Sequence, residues 1–228
     1  MIHIEWRGQV DYGQAWAYQK ELVAARKENP DLPDTLLLLE HPPTYTCGRR
    51  TDKHNLLLSD AELAAAGITV YDVDRGGDIT YHGPGQLVAY PIFNLKRLTG
   101  TVLGSVRPYV RQLEQVIIDA IAPFGLTGWR YEGYTGVWLG ERADPRKVAA
   151  IGVHINSKGI TSHGFALNVN PNLAHFQGII PCGIADHGVA SMVEELSRPL
   201  TIHDLLESVA QSFATVFNQP ITEIMNCD

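Results

Sequence analysis

Cysteine is scarce in this sequence, and long apolar runs are missing from it. Three cysteines, Cys47, Cys182 and Cys227, occur among 228 residues, and their spacing forms no C-x-x-C pair. This pattern argues against a disulfide framework and a zinc knuckle, and it is typical of proteins in a reducing compartment. No run is long enough to cross a bilayer, and the first residues are too polar for a secretory leader. We therefore expect a cytoplasmic protein without membrane attachment.

Positive charge is also in deficit, with 18 Lys and Arg residues against 25 Asp and Glu residues and a formal net charge of -7. This balance argues against nucleic acid as the main partner. Arg49, Arg50 and Lys53 form the densest positive group, which fits a solvated loop as well as a surface for an acidic protein. No repeat or linker divides the chain, so residues 1–228 are predicted to form a single domain.

The apolar pattern alternates between helical and strand spacing along the chain. Helices are predicted for residues 12–28 behind an Asp11 cap, after a Ser59 capping box, from Val110 to Ile121, and after a cap at Thr201. Short apolar and β-branched runs predict strands at residues 35–39, 68–74, 86–95, 136–139, 147–155 and 164–169. Because the strands concentrate in the middle, we predict an α+β fold with a mixed, mostly antiparallel sheet and packed helices.

The most unusual segment is Arg75–Gln86, RGGDITYHGPGQ, which follows a predicted strand and contains four glycines. Glycine lets the backbone approach a ligand closely, and exposed N–H groups can then bind a carbonyl or an oxyanion. The segment matches neither the dinucleotide-binding pattern nor the P-loop. A tight loop between two strands is the alternative, but Arg75, Tyr81 and His82 among the glycines favour a substrate-binding loop.

Two further segments carry reactive side chains. Cys182 stands between Pro181 and Gly183, where a fixed turn can hold a nucleophile beside a free N–H, although a lone cysteine is often only a small buried residue. Lys147 opens an apolar strand, where lysine usually extends to solvent. If it points inward, desolvation lowers its pKa, and it can act as a base or as the cationic partner of a thiolate. The residues alone leave these choices open.

Histidines accompany these segments. His163 precedes the small residues Gly164 and Ala166, which would let a strand line a pocket, and its imidazole is either catalytic or bonded to backbone. A metal-binding module or metal hydrolase is a competing hypothesis, and its ligands would be His154, His163, His175, Cys182 and His187. No H-x-x-x-H or C-x-x-C spacing supports it, so no metal is predicted.

Taken together, these segments resemble the lipoate-biosynthesis octanoyltransferase family, also called lipoyl(octanoyl) transferases. The resemblance runs in order from about residue 35 to residue 195, and the long first motif is highly specific. It is carried by Arg75–Gln86, by Lys147 with Ile151–His154, by His163–Val169, and by Pro181–Gly183. The resemblance implies the fold of the catalytic domain of biotin and lipoate protein ligases.

The resemblance also implies a role for each matching residue. Cys182 would accept the acyl group as a thioester, and Lys147 would lower its pKa, with the nitrogen roughly 3–4 Å from the sulfur. The acyl site would be lined by Arg75, Gly76, Gly77, Asp78, Ile79, Thr80, Tyr81, His82, Ala150, Ile151, Gly152, Gly164, Phe165 and Ala166. Ile79, Val153 and Phe165 are expected to form an apolar tunnel. Cys47 stands where the family pattern has an aliphatic residue, which adds a second thiol.

In that family the octanoyl group moves from acyl carrier protein to a lysine of a lipoyl domain. We therefore expect octanoyl-acyl carrier protein as donor, lipoyl domains as acceptors, no cofactor, and a monomer. Exchange of one thioester for another changes the free energy little, and formation of the amide from the thioester lowers it, so ATP is not required. An ATP-dependent lipoate or biotin protein ligase on the same fold is the alternative, since such enzymes also use a strand lysine but do not need the cysteine.

Overall fold

A large mixed sheet with helices on both faces dominates the fold. The structure, a computed structural model, describes residues 1–99, 106–180 and 187–227. Over these residues the strands are β1 (Ile2–Gln9), β2 (Asp34–Glu40), β3 (Thr44–Cys47), β4 (Thr69–Asp72), β5 (Thr80–His82), β6 (Gln86–Ile92), β7 (Trp129–Tyr131), β8 (Tyr134–Leu139), β9 (Arg146–Ile155), β10 (Thr161–Asn168), β11 (Gly188–Val189) and β12 (Ile221–Asn226). The helices are α1 (Tyr12–Glu28), α2 (Asp60–Ala66), α3 (Leu95–Thr99), α4 (Val106–Ile121), α5 (Met192–Leu196) and α6 (His203–Phe217).

The large sheet has the strand order β12-β1-β2-β6-β10-β9-β8-β7, with β11 added beside β9. Along this order, every pair of neighbouring strands from β2 to β7 is antiparallel. The pairs β12/β1, β1/β2 and β11/β9 are parallel. A second sheet has the order β4-β3-β5. The predicted α+β class with a mixed, mostly antiparallel sheet is therefore confirmed.

Three groups of buried side chains hold the layers together. The main core lies between the large sheet and helices α4 and α6. On the opposite face of the sheet, α1 packs over a smaller group that includes Val88, Tyr90 and Ala166. A third group, with Tyr45, Ile79 and Tyr81, lies under the small sheet. The face that carries α1 is only partly covered by it, and the small sheet lies over the remainder.

Local sequence signals explain most of the helix ends. Asp11 caps α1 by accepting a hydrogen bond from the Gln14 N–H, and Ser59 forms the predicted capping box on α2. Thr201 does not cap α6 as predicted. The cap position falls at Ile202, and the Thr201 hydroxyl donates to the Asp204 carboxylate instead.

Two predicted strands are shorter than expected, and β1, β3, β5, β7, β11 and β12 were not predicted. The strand predicted at 68–74 spans only Thr69–Asp72, and the one predicted at 86–95 ends at Ile92 because α3 begins at Leu95. No helix among the described residues has the length and apolar character needed to cross a bilayer.

Candidate active site

A cleft of about 440 Å³ lies on the α1 face of the large sheet, under the small sheet. Strands β6, β9 and β10 form one side of it. The glycine-rich loop and β5 form the other side, through Arg75, Gly77, Asp78, Thr80 and His82. The Gly76 N–H donates to the Val153 carbonyl at 2.9 Å, which ties the loop to β9. Residues far apart in sequence are thus brought to one concave surface.

Strand register places small residues side by side along the cleft. Ala166 of β10 lies between Val88 of β6 and Ala150 of β9, and Gly164 pairs with Gly152. A β-carbon on Gly152 would approach the Gly76 carbonyl oxygen to 2.9 Å, so only glycine permits this close approach of the loop. The paired small residues leave an open passage over the sheet.

A β-bulge turns Lys147 toward the same passage. Trp138 of β8 pairs with Lys147, but its neighbour Val137 pairs with Ala149, so β9 carries one extra residue, Val148. Val148 and Ala149 both enter the main core, while Lys147 and Ala150 line one cavity of about 280 Å³. Without the extra residue, strict alternation would place Lys147 on the core face with Ala149.

The Lys147 side chain is held in a buried position. It is 9% exposed, and its Nζ lies 4.7 Å from the centre of the Trp138 ring. The Trp138 ring also contacts the His187 ring at 5.6 Å. This cavity shares Thr80, Ala150 and Ala166 with the larger cleft, so the two are continuous. The inward orientation considered for Lys147 is the one observed.

Cys182 and Gly183 lie outside the described residues, so the distance between the cysteine sulfur and Lys147 stays a prediction. The described chain on either side of them is well defined. The Ile180 N–H donates to the Asn55 carbonyl at 2.8 Å. After His187, Val189 pairs with Lys147 in the sheet, and the Ala190 N–H donates to the Lys147 carbonyl at 2.9 Å. The segment that carries Cys182 therefore returns beside Lys147.

A chain of hydrogen bonds runs beneath the cleft from the glycine-rich loop to the Lys147 end. Arg75 donates to the Thr46 hydroxyl and carbonyl, and the Thr46 hydroxyl lies 3.3 Å from His82 Nε2. His82 Nδ1 lies 2.9 Å from Gln86 Oε1, and Gln86 donates in turn to Asn168. Asn168 then donates to the Ala190 carbonyl. The polar atoms are satisfied behind the cleft, which leaves ring faces and aliphatic carbons toward it.

His163 joins a second polar group at the other end of the cleft. It has a φ of 55°, unusual for a residue other than glycine. Its Nε2 lies 2.8 Å from Asp74, whose other oxygen lies 2.8 Å from His154 Nδ1. The His163 hydrogen bond holds the pKa of Asp74 well below its usual range. Burial lowers the pKa of His163, so we assign a neutral imidazole that donates from Nε2. The Tyr12 hydroxyl lies 3.5 Å from His163 Nδ1.

Eleven of the fourteen predicted acyl-site residues line the cleft, and Gly76, Ile79 and Tyr81 do not. Ile79 and Tyr81 are fully buried in the core under the small sheet, because alternation along β5 turns Thr80 and His82 to the cleft instead. Gly76 acts through its backbone bond to β9.

The expected tunnel of Ile79, Val153 and Phe165 is not formed. Val153 is buried in the main core. The Phe165 ring also lies there, stacked 6.0 Å from Phe213, although the residue borders the cleft.

Tyr12 and Tyr90 line the cleft and were missed from the sequence. Tyr12 begins α1, more than sixty positions before the glycine-rich loop, and Tyr90 lies in an apolar strand with no chemical motif. No local signal marks either residue. Among the described residues, no group of three or more His, Cys, Asp or Glu side chains is arranged to hold a metal ion.

We expect the protein to lose stability in acid because His41, which lies behind Tyr90, is buried. Its Nδ1 donates to the Val10 carbonyl and its Nε2 accepts from the Tyr90 hydroxyl, so both nitrogens of the neutral imidazole have hydrogen-bond partners. Burial lowers the pKa of His41 to about 4. The unfolded chain, with a histidine pKa near ~6.5, binds a proton between these values that the folded chain does not. The neutral His41 therefore contributes fully to the free energy of unfolding above pH ~6.5, and this contribution is lost as the pH falls toward ~4. The free energy of unfolding should fall by about 3 kcal/mol over this range.

Urea unfolding at several pH values between 7 and 4 measures this change. Burial lowers the pKa values of His82 and His163 in the same direction, so the total loss should be at least that of His41. A His41→Leu variant should have a flatter pH dependence, whereas His54→Gln, at a side chain that is 95% exposed, should match the unaltered chain. Equal unfolding free energies at pH 7 and pH 4 would contradict the buried neutral state of His41.

The fold is that of the lipoyl and biotin protein ligases. A bipartite lipoate protein ligase from Thermoplasma acidophilum superposes with a TM-score of 0.78 at 13% identity, covering 100% of this chain and 88% of that one. A lipoate-protein ligase A bound with ATP superposes with a TM-score of 0.76 at 12% identity, and the match covers 100% of this chain and 90% of that one. A biotin protein ligase from Aquifex aeolicus superposes with a TM-score of 0.54 at 13% identity, and the match covers 95% of this chain and 70% of that one. At these identities the likeness defines the class of fold alone.

Sequence similarity is much closer. The family model for the lipoyl protein ligase A/B catalytic domain matches residues 11–214. An octanoyltransferase from Chloroflexus aggregans is 44% identical, and the match covers 92% of this chain and 92% of that protein. An octanoyltransferase from Acidobacterium capsulatum is 46% identical, and the match covers 97% of this chain and 91% of that protein. The chain therefore belongs to the lipoyl protein ligase A/B catalytic-domain family, and within it to the octanoyltransferases, which are acyltransferases.

Proposed function

We propose that this chain, as a single catalytic domain in the cytoplasm, transfers an octanoyl group from acyl carrier protein to a lysine of a lipoyl domain through a thioester on Cys182. The similarity to octanoyltransferases over nearly the whole chain is the observation that carries this proposal. The buried Lys147 at one end of the cleft, beside the returning Cys182 segment, supports the assigned roles.

In the first step the Cys182 thiolate attacks the carbonyl carbon of the carrier's octanoyl thioester. The bond from that carbon to the carrier sulfur breaks, and the leaving thiolate takes a proton from the Lys147 ammonium. A cysteine of ordinary pKa, near ~8.5, is mostly protonated at neutral pH, so a cationic neighbour is needed to supply the reactive form. Lys147, buried over the Trp138 ring, is a cation positioned for this purpose.

In the second step the amine of the acceptor lysine attacks the Cys182 thioester. The carbon–sulfur bond breaks, an amide forms, and Lys147, now neutral, takes the proton that the amine loses. Cys182 leaves as a thiolate, and the starting ion pair is restored. The donor and the acceptor are both proteins that carry a reacting group, so both must bring that group to the Lys147 end of the cleft.

An ATP-dependent ligase has the same fold, but the ligases found by structural similarity are only 11–14% identical to this chain. That likeness concerns the fold and gives no reason to prefer the ligase. The two functions differ in a simple observable, because a ligase needs ATP and free acid, whereas the proposed transferase needs neither.

Intact-mass analysis tests the proposal directly. After incubation with octanoyl-acyl carrier protein and no ATP, the chain should gain the mass of one octanoyl group, and addition of a lipoyl domain should remove it. Thiol labelling identifies the site: Cys182 should be protected, while Cys47 and Cys227 should stay reactive. Burial raises the pKa of Cys47, which makes it the poorer nucleophile. Protection of Cys47 instead, or an adduct that requires ATP and octanoic acid, would refute the proposal.

A further inference from the structure

Aromatic side chains line the end of the cleft away from Lys147. From the Lys147 cavity, which Gln86 and Asn168 also line, the passage runs past Ala150 and Ala166 to Gly152 and Gly164. Tyr12, Tyr90 and His163 line only the larger cleft, at this far end. The passage therefore has a reactive end and an aromatic end.

Tyr12 is fixed firmly at the aromatic end. Its ring centre lies 4.9 Å from that of His41, 5.2 Å from that of Tyr71 and 5.8 Å from that of His82, and the residue is only 1% exposed. Its hydroxyl is directed to His163. A side chain held on several sides cannot move aside at low cost, because protein interiors are close-packed.

The other polar groups at this end are hydrogen-bonded within the protein. The Arg75 guanidinium donates to Thr46 and to the Gly76 carbonyl, and the Tyr90 hydroxyl bonds His41. Beyond the Lys147 cavity the passage is thus suited to an apolar chain, and the Tyr12 ring lines its far end.

The length of the passage matches a medium acyl chain. Gln86 and Tyr90 are four residues apart on β6, roughly 13 Å at strand spacing. An extended octanoyl group contains seven carbon–carbon bonds of about 1.5 Å and spans roughly 9 Å along its zigzag. A tail that starts at a thioester beside Lys147 therefore reaches the aromatic end with its last carbons, and two more methylenes would meet the Tyr12 ring.

We infer that the Tyr12 ring sets the upper limit on acyl-chain length in this enzyme. The inference rests on the proposed function, because it takes the thioester to lie at the Lys147 end. Tyr12 acts as a specificity-determining residue: it contacts the tail end and excludes chains longer than about eight carbons, while the chemistry takes place at the other end of the passage.

Competition between octanoyl-, decanoyl- and dodecanoyl-acyl carrier protein for acylation of the enzyme, read by intact mass, tests this inference. Tyr12→Ala should raise the ratio of decanoyl to octanoyl adduct about tenfold, since each newly buried methylene is worth roughly a factor of four. Tyr12→Leu, which removes less volume, should raise the same ratio in a chain that retains more of its packing. Circular dichroism establishes that each variant is folded.

Two controls separate the ring from general loosening of the core. Tyr12→Phe keeps the ring and should keep the ratio of the unaltered chain, whatever its absolute rate. Tyr109→Ala removes an equally buried ring from the main core, away from the cleft, and should lower stability without changing the ratio. Folded Tyr12→Ala or Tyr12→Leu with an unchanged ratio would overturn the inference. If the unaltered chain forms no acyl adduct of any length, the proposed function itself fails.

Discussion

Replacing Cys182 with alanine should abolish octanoyl transfer while leaving the fold intact. Removal of the nucleophile from a covalent mechanism leaves only binding and positioning, and the expected loss is on the order of 10⁴-fold or more. The segment that contains Cys182 returns to the sheet at β11, next to Lys147. The thiol is therefore expected at the reactive end of the passage rather than in a packed core.

Transfer to a lipoyl domain and far-ultraviolet circular dichroism should be measured on the same Cys182→Ala sample. Cys47→Ala is the matched control, because Cys47 is a partly buried thiol on β3. The control should transfer at nearly the normal rate. A folded Cys182→Ala variant that still turns over would eliminate the thioester mechanism, and loss of activity in Cys47→Ala alone would show that the wrong cysteine had been assigned.

Replacing Lys147 with methionine should lower the rate of transfer to the acceptor about a hundredfold at neutral pH. Methionine fills similar space but carries no charge, so Cys182 returns toward its ordinary pKa of ~8.5 and loses most of its thiolate. Loss of the proton acceptor for the attacking amine slows the second step instead, typically about 10²-fold or more. The two losses fall on different steps and can be separated.

Acylation and transfer should be followed separately for Lys147→Met as functions of pH. Above pH ~8.5 the thiolate forms without help, so acylation should recover in large part, whereas transfer to the acceptor should remain slow. Lys158→Met, at an exposed loop lysine, is the matched control and should resemble the unaltered chain. A normal rate of both steps at pH 7 in Lys147→Met would refute the assigned roles.

Much of the architecture was accessible from the sequence because its causes are local. The Asp11 cap, the Ser59 capping box and the apolar stripe of α4 are written in neighbouring residues, and the corresponding helices formed as predicted. The Thr201 cap was wrong, because α6 begins at His203 and its cap position falls at Ile202. The edge strand β12 and its neighbour β1 were missed, and the residues that pair between these two strands lie more than two hundred positions apart.

The chemical motifs could be recognised, but their side-chain directions could not. The Arg75–Gln86 segment was interpreted from the sequence as a substrate-binding loop; five of its residues line the cleft, whereas Ile79 and Tyr81 lie in another core. Alternation fixes which residues of a strand share a face, but only packing decides which face meets the ligand. A shift of one residue in the alternation along β5 would have turned Ile79 and Tyr81 to the cleft, and Thr80 and His82 to the core.

The sequence by itself determined four of the helices and six of the strands, the α+β class, the family resemblance and the identity of Cys182 and Lys147 as the reactive pair to test. Only the tertiary structure decided that Lys147 faces the passage, because that depends on one extra residue in β9 that appears only when β8 is paired with it. It also decided that Tyr12 lines the far end of the cleft. Contacts between Tyr12 and His163, 151 positions apart, arise from the packing of α1 on the sheet, and no spacing within either segment encodes them.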